Sequence, residues 1–224
     1  GIYLTVSTLF LWFFFTDFNI LNAGFADLNS FFVLTPWLLM FLIPALCMRS
    51  FSEERRTGTL ELLLTKPISL WKIILGKYLG CMLLVMIAFL PTLVYFFAVN
   101  DLKLNNTPLD WGSAFSGYLG LISVSSVFVA IGILGSLLTK NQVSAFMLSL
   151  LICFIQFFLW KGIADLMVDA KTNYFFNQLG FFEHYLSLCQ GVISIKDLTY
   201  FIAFNYVLLY LSHQMLFKIK NKGW

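Results

Sequence analysis

The chain has 224 residues, 60% of them hydrophobic and 11% charged, with a formal net charge of +3 and a mean hydropathy of +0.86. Charged residues make up about a quarter of an ordinary soluble chain, so this composition excludes a soluble globular domain and indicates an integral membrane protein. So mild a charge, carried by basic residues that flank apolar runs, gives no basis for nucleic-acid binding.

Crossing about 30 Å of hydrocarbon as a helix takes about 20 apolar residues. The alternating ten-residue segments of a membrane barrel are absent from the sequence. The runs therefore predict a single all-α membrane domain over residues 1–224, with six transmembrane helices.

The first span covers about 1–18 and is followed by a polar loop marked by Asp17, Asn19, Asn22, Gly24 and Asp27. The second, about 31–48, carries Pro36 and Pro44, which kink a membrane helix without forbidding it when neighbouring helices satisfy the freed carbonyls. A third runs over about 73–99, with a kink expected at Pro91, and a loop with Asn105, Asn106 and Pro108 closes it. The fourth, about 111–138, is rich in small residues: Ser113, Gly117, Gly120, Ser123, Ser125, Ser126, Gly132, Gly135 and Ser136. Small residues let helix backbones approach closely in lipid, so this span is expected to be the most crowded. A short connection leads to the fifth span, about 143–163. Residues 165–197 form an insertion too polar at both ends for a plain span; its apolar pieces at 174–182 and 185–195 suggest two short re-entrant or interfacial helices. The sixth span covers about 198–217.

One side of this layout collects Arg49, Arg55, Arg56, Lys66, Lys72, Lys77, Lys140, Lys218, Lys220 and Lys222. The other side has Lys103, Lys161, Lys171 and Lys196. Excess Lys and Arg mark the cytoplasmic side, so both termini are expected inside and the 165–197 insertion outside. Acidic residues such as Asp110, Asp165, Asp169 and Asp197 fall mostly on the outer side.

The segment 49–72, between spans two and three, is the one dense block of charge. Glu53, Glu54, Arg55, Arg56 and Glu61 would together cost more than about 12 kcal/mol at the centre of a bilayer, so the segment must be wet. Leu60, Leu63 and Leu64, at i, i+3 and i+4, nevertheless form an apolar ridge on it. Ser50 and Glu53 have the spacing of a capping box, which predicts a helix start there. Gly58 interrupts that helix, 59–65 continues it, and Pro67 ends it.

The pattern E-E-x-x-x-G-T-L-E-x-L-L-x-x-P at 53–67, followed by Trp71, Gly76 and Lys77, resembles that of ABC-2-type transporter permeases. The six-span layout and the insertion before the last span agree with it. The 19–28 stretch, the run at 41–45 and Met48-Arg-Ser-Phe51 are similar to the permease subunit of the gliding-motility ABC transporter of gliding bacteria. The resemblance implies a type V exporter-like permease fold in the bacterial inner membrane, with a cytoplasmic coupling helix that docks on a separate ABC ATPase dimer. That partner would bind ATP and Mg, and no cofactor is expected in this chain.

On that reading Glu53, Glu54, Arg55, Arg56, Gly58, Thr59, Leu60, Glu61, Leu63, Leu64 and Pro67 form the docking element. The leucines serve as anchors, and the charges set register and partner choice. A second permease chain, identical or related, is implied, as is an auxiliary gliding-motility membrane subunit. The family's amphipathic helix before its first span is missing here, so the resemblance implies chain upstream of Gly1. Export of another substrate, such as a polysaccharide, lipid or drug, remains the alternative, with an ATP-independent secondary transporter behind it. For the segment itself the alternative is an amphipathic loop on anionic lipid, held by Arg55, Arg56 and Lys66.

Gly76-Lys77 lacks the earlier glycine and following hydroxyl of a Walker A loop, so no nucleotide hydrolysis is expected in this chain. Glu183, His184 and His213 lack the spacing of a metal or catalytic motif and read as interface or loop residues. Gln156, Lys161, Asn205 and Gln214 are the polar residues within spans. Gln156 and Asn205 suit interhelical hydrogen bonds or a path lining, and Lys161 can snorkel. Cys47, Cys81, Cys153 and Cys189 stand singly and read as packing residues, with no disulfide or metal framework.

Overall fold

The structure is a computed structural model that describes residues 1–14, 28–101 and 111–221. Expectations resting on Asp17, Asn19, Asn22, Gly24, Asp27, Lys103, Asn105, Asn106, Pro108, Asp110 and Lys222 lie outside the described residues. Among the described residues there is no strand, and the helices are α1 (Ile2–Phe13), α2 (Asn29–Thr57), α3 (Thr59–Thr65), α4 (Leu70–Asp101), α5 (Trp111–Leu138), α6 (Gln142–Asp165), α7 (Ala170–Leu179), α8 (Phe181–Cys189) and α9 (Ile195–Asn221).

Four of these helices, α2, α4, α5 and α6, are long and apolar enough to cross a membrane. The 27-residue α9 falls outside that group, diluted by Asn205, His213 and Gln214, and α1 is a shorter apolar helix.

α5 is the axis of the bundle. In its most apolar stretch 78% of the residues are buried, against 22% for α6. The cause is side-chain size. A Cβ added at Gly117 would fall 2.5 Å from the Phe32 ring, one at Gly132 would fall 2.6 Å from the Cys47 Cβ, and one at Gly135 would fall 2.1 Å from the Ser149 Oγ. No real carbon tolerates such separations, so these glycines are what let α2 and α6 close onto α5. In lipid, where tails are as apolar as leucine, that close packing is a main source of helix association.

The prolines are accommodated in two ways. Pro36 removes the N–H that would serve the Phe32 carbonyl, and the buried Tyr185 hydroxyl on α8 donates to that carbonyl instead. α2 therefore stays helical through Pro36, and α8 is tied across α5 to it. At Pro91 the helix tightens into a 3-10 turn at Leu90–Thr92. There the Thr92 hydroxyl donates to the Phe89 carbonyl at 2.6 Å.

The insertion forms two short helices, α7 and α8, each beginning four residues before the apolar piece that suggested it. A polar stretch, Ala170-Lys-Thr-Asn173, opens α7, and Gly180 separates the two. His184 is buried in α8, where the sequence suggested a loop or interface residue. Its Nε2 donates to the Gln178 carbonyl at 3.1 Å and its Nδ1 meets Asp197 Oδ1 at 2.6 Å. The ring stacks on Tyr200 with centroids 4.1 Å apart. Asp197, read from sequence as an outer-loop acid, is thus a buried partner in the first turn of α9.

Candidate functional site: the charged elbow

The apolar helix α2 does not end where its composition changes. Met48 keeps helical dihedrals (φ −55°, ψ −29°), and the helix runs from Asn29 into the charged stretch as far as Thr57. This corrects the expected capping box: Ser50 lies inside a helix already formed, and a cap motif has no orphan N–H groups to serve there. Instead the Ser50 Oγ faces Cys81 Sγ at 3.8 Å.

Two clamps hold this extension to the bundle. Lys77, on α4, pairs with Glu54 at 2.6 Å, donates to the Ser50 carbonyl, and lies 4.3 Å from the centroid of the buried Phe51 ring. Arg55 donates to the Leu137 carbonyl in the last turn of α5. A cation there meets the negative end of the helix dipole and an orphan carbonyl together. The α2 extension is therefore fixed against both α4 and α5.

At Gly58 the chain turns. Its φ of +74° lies in the left-handed region that a side chain disfavours, and a Cβ there would meet nothing within 4 Å. The glycine is required by the backbone and not by crowding. α3 then runs over Thr59–Thr65, Lys66 is extended, and Pro67 follows. Ser69 opens α4 by accepting the Lys72 N–H at 3.4 Å. Just beyond, Trp71 stacks on His213 of α9, with centroids 4.8 Å apart.

The leucine ridge faces inward, and this corrects its assignment as a set of anchors for a partner. Leu60 is 0% exposed and Leu64 9%, both packed in the chain's own core, with Leu63 half-buried against it. A ridge at i, i+3 and i+4 covers the nearest apolar surface, which here is the bundle itself. What faces out is the opposite side: Leu62 at 68% exposure, Ile68 at 41%, and Arg56, Thr59, Glu61, Thr65, Lys66 and Pro67. Glu53 is half-buried.

Away from the elbow, Gln156 lies in a π turn of α6 at Ile155–Leu159. It donates to the Leu179 carbonyl at 2.9 Å and accepts from Trp160 Nε1 at 3.1 Å, joining α6 to α7. Asn205 donates to Ser126 Oγ at 2.6 Å, joining α9 to α5. Lys161 pairs with Glu183 at 3.1 Å and Asp165 at 3.5 Å. Among the described residues no three His, Cys, Asp or Glu side chains gather as a metal site. Sequence reasoning missed the outward Leu62 and Ile68, the Lys77 clamp and Tyr185. Only Tyr185's acceptor left a signal, as the carbonyl four residues before a proline.

These features define a class: a polytopic helical membrane protein whose main charged feature is a short, stiff elbow joined directly to two membrane-capable helices. The family model described as "ABC-2 family transporter protein" matches residues 8–217, and the chain belongs to that family, the membrane permeases of ABC transporters. A comparison with curated proteins found no match.

Proposed function

We propose that the elbow docks a separate ABC ATPase and that the chain couples ATP hydrolysis in that partner to export or mechanical work across the bacterial inner membrane. The observation that carries this reading is the unbroken helix Asn29–Thr57, clamped by Lys77 and Arg55 and turned at Gly58. Force applied to α3 has a rigid route into α2 and α4. The docking face is the outward side of the turn, with Leu62 and Ile68 as apolar contacts and Arg56, Glu61 and Lys66 setting register. ATP and Mg belong to the partner dimer. The Lys and Arg distribution supports six spans with both termini inside, α1 and α9 supplying the first and last. A second permease chain, identical or related, completes the path.

The role in gliding motility, with an auxiliary membrane subunit, is a finer reading supported by the resemblance at 41–45 and 48–51. Normal gliding and normal surface-protein display after deletion of the gene would remove it. Export of a polysaccharide, lipid or drug is then the remaining use of the same machine.

The docking assignment is tested by Leu62→Asp, which exposes a charge without touching the core. ATPase co-purifying with the membranes is expected to fall about tenfold or more, equivalent to ~1.4 kcal/mol. Leu60→Asp, by contrast, is expected to deplete the folded permease itself. ATPase retained in full by a folded Leu62→Asp protein would refute docking on this face.

A further inference from the structure

We propose that a slot between α4 and α5, in the half of the bundle away from the elbow, holds one acyl chain of a bilayer phospholipid. The slot begins at Pro91. Before the 3-10 turn at Leu90–Thr92, α4 packs along α5; beyond it, towards Asp101, the two helices part. The far piece of α4 leans on α1 instead, where the Tyr95 hydroxyl meets Thr8 Oγ1 at 2.6 Å and Ser7 Oγ at 3.1 Å. Across the gap, the Phe96 and Trp111 rings meet with centroids 4.3 Å apart. The parting leaves a cavity of about 460 Å³. Phe89, Phe96 and Ala114 form its buried floor. Leu90 and Phe97 on α4 and Trp111 and Phe115 on α5 are exposed at its rims.

α4 and α5 are both long and apolar enough to cross a membrane, so the medium at the mouth of the slot is hydrocarbon. The lining matches that medium. Tyr118, which borders it, spends its hydroxyl on Thr92 Oγ1 at 3.1 Å, because the Thr92 proton is already given to the Phe89 carbonyl. Length matches as well. From Met86 to Phe97 on α4, and from Trp111 to Ile122 on α5, the helix rises about 16 Å, against about 15 Å for half of a 30 Å hydrocarbon core. Met86 lies about 14 Å along α4 from Lys77, which is held at the charged elbow. The slot therefore runs from the middle of the bilayer to the far interface, where Trp111 is an aromatic of the kind that gathers at the membrane boundary. That this leaflet is the outer one rests on the cytoplasmic placement of the elbow; the slot itself does not.

Width selects the occupant. About 460 Å³ spread over about 16 Å gives a section of about 29 Å², a slot roughly 6 Å across. A helix with its side chains is about 10–12 Å across, too wide to enter, so a second permease chain does not fill the slot with a helix. A hydrocarbon chain is one carbon wide and packs at contact distances of about 3.5–4.0 Å. Apolar walls that face a gap forfeit their dispersion contacts, and a single tail restores them along the whole length.

The test uses the permease in vesicles of phosphatidylethanolamine and phosphatidylglycerol, with a trace of phosphatidylcholine carrying a diazirine at the end of one acyl chain. After irradiation and digestion, mass spectrometry is expected to find adducts at Met86 and Ile122, the deep end of the slot. Leu151 and Phe154 face outward near the middle of α6 and report the lipid that merely surrounds the bundle. Adducts in the slot should exceed those on α6 about tenfold, one decade of preference. Ala114→Phe fills the floor, and Leu93→Trp closes the mouth from an exposed rim position without touching the core. Each should bring the slot adducts down to the α6 level and leave the α6 adducts unchanged, which also shows the bundle intact. Equal labelling of slot and α6 in the unsubstituted permease would mean passing lipid only. A slot labelled less than α6 would mean that protein covers it, as a second permease chain laid across the rims would do. Slot adducts unchanged in a folded Leu93→Trp permease would place the tail elsewhere, and each of these three results overturns the proposal.

Discussion

The repair of Pro36 by Tyr185 makes a prediction whose size follows from the structure. Replacing Tyr185 by Phe keeps the ring, which is 3% exposed, and removes only the hydroxyl that donates to the Phe32 carbonyl. That carbonyl lies on a residue itself 3% exposed and has lost its usual partner to the proline. A buried acceptor left unsatisfied costs about 1–3 kcal/mol, and interhelical hydrogen bonds measured in a membrane protein average about 0.6 kcal/mol. A loss of about 1 kcal/mol is therefore expected. In a Pro36→Ala background the restored amide can serve the same carbonyl, so Tyr185→Phe should then cost less than half as much. Unfolding by sodium dodecyl sulfate in mixed micelles, followed by helix content, measures all four proteins of the cycle. Equal cost of Tyr185→Phe with and without the proline would refute the repair.

Three further substitutions test other parts of the argument. Gly58→Val should cost about 1–2 kcal/mol through backbone strain alone, while Gly58→Asn recovers most of it; equal thermal stability of the two would contradict the left-handed turn as the constraint. Gly135→Ala drives a carbon to 2.1 Å from Ser149 Oγ and should destabilise by about 1–3 kcal/mol. Adding Ser149→Ala should return most of that in the same micelle assay, and an absence of rescue would place the crowding elsewhere. His184→Ala leaves Asp197 buried without its imidazole and should cost about 3–5 kcal/mol, whereas His184→Leu/Asp197→Leu should cost much less. A single variant as stable as the double would show that the pair is not desolvated as the structure has it.

Features carried by local composition were legible from the sequence. The apolar runs at 31–48, 73–99, 111–138 and 143–163 became α2, α4, α5 and α6. The left-handed stop at Gly58 follows from glycine's freedom, and the crowding of α5 from its small residues. What failed was the local motif set in the wrong context. Ser50 and Glu53 have capping spacing, yet Met48 hands the chain on in helical conformation, and continuity wins over a cap that has nothing to cap. The leucine ridge failed for another reason: periodicity tells which residues share a face but not what that face meets. The pairs that hold the fold are long-range. Glu54 with Lys77, Arg55 with Leu137 and His184 with Asp197 come together only once helix packing is known.

The elbow's charges then divide by the work each does. Glu54 and Arg55 face inward, one on Lys77 and one on the end of α5, in sites 21–31% exposed at the ion pair. Such contacts fix the direction of the α2 extension, because each joins it to a different helix and together they remove its freedom to swing. Arg56, Glu61 and Lys66 are exposed and have no such burial. Exposed charges contribute little to stability and much to the choice and rate of encounter. The segment that composition marks as a single wet block is therefore two surfaces back to back. An inner one fixes the α2 extension to α4 and α5, and an outer one, centred on Leu62, is the face that the proposed docking would use. On the proposed docking, stiffness is what the outer surface needs: a partner pulling on a hinged loop would move the loop alone, whereas one pulling on a helix continuous from Asn29 to Thr57 would move the bundle.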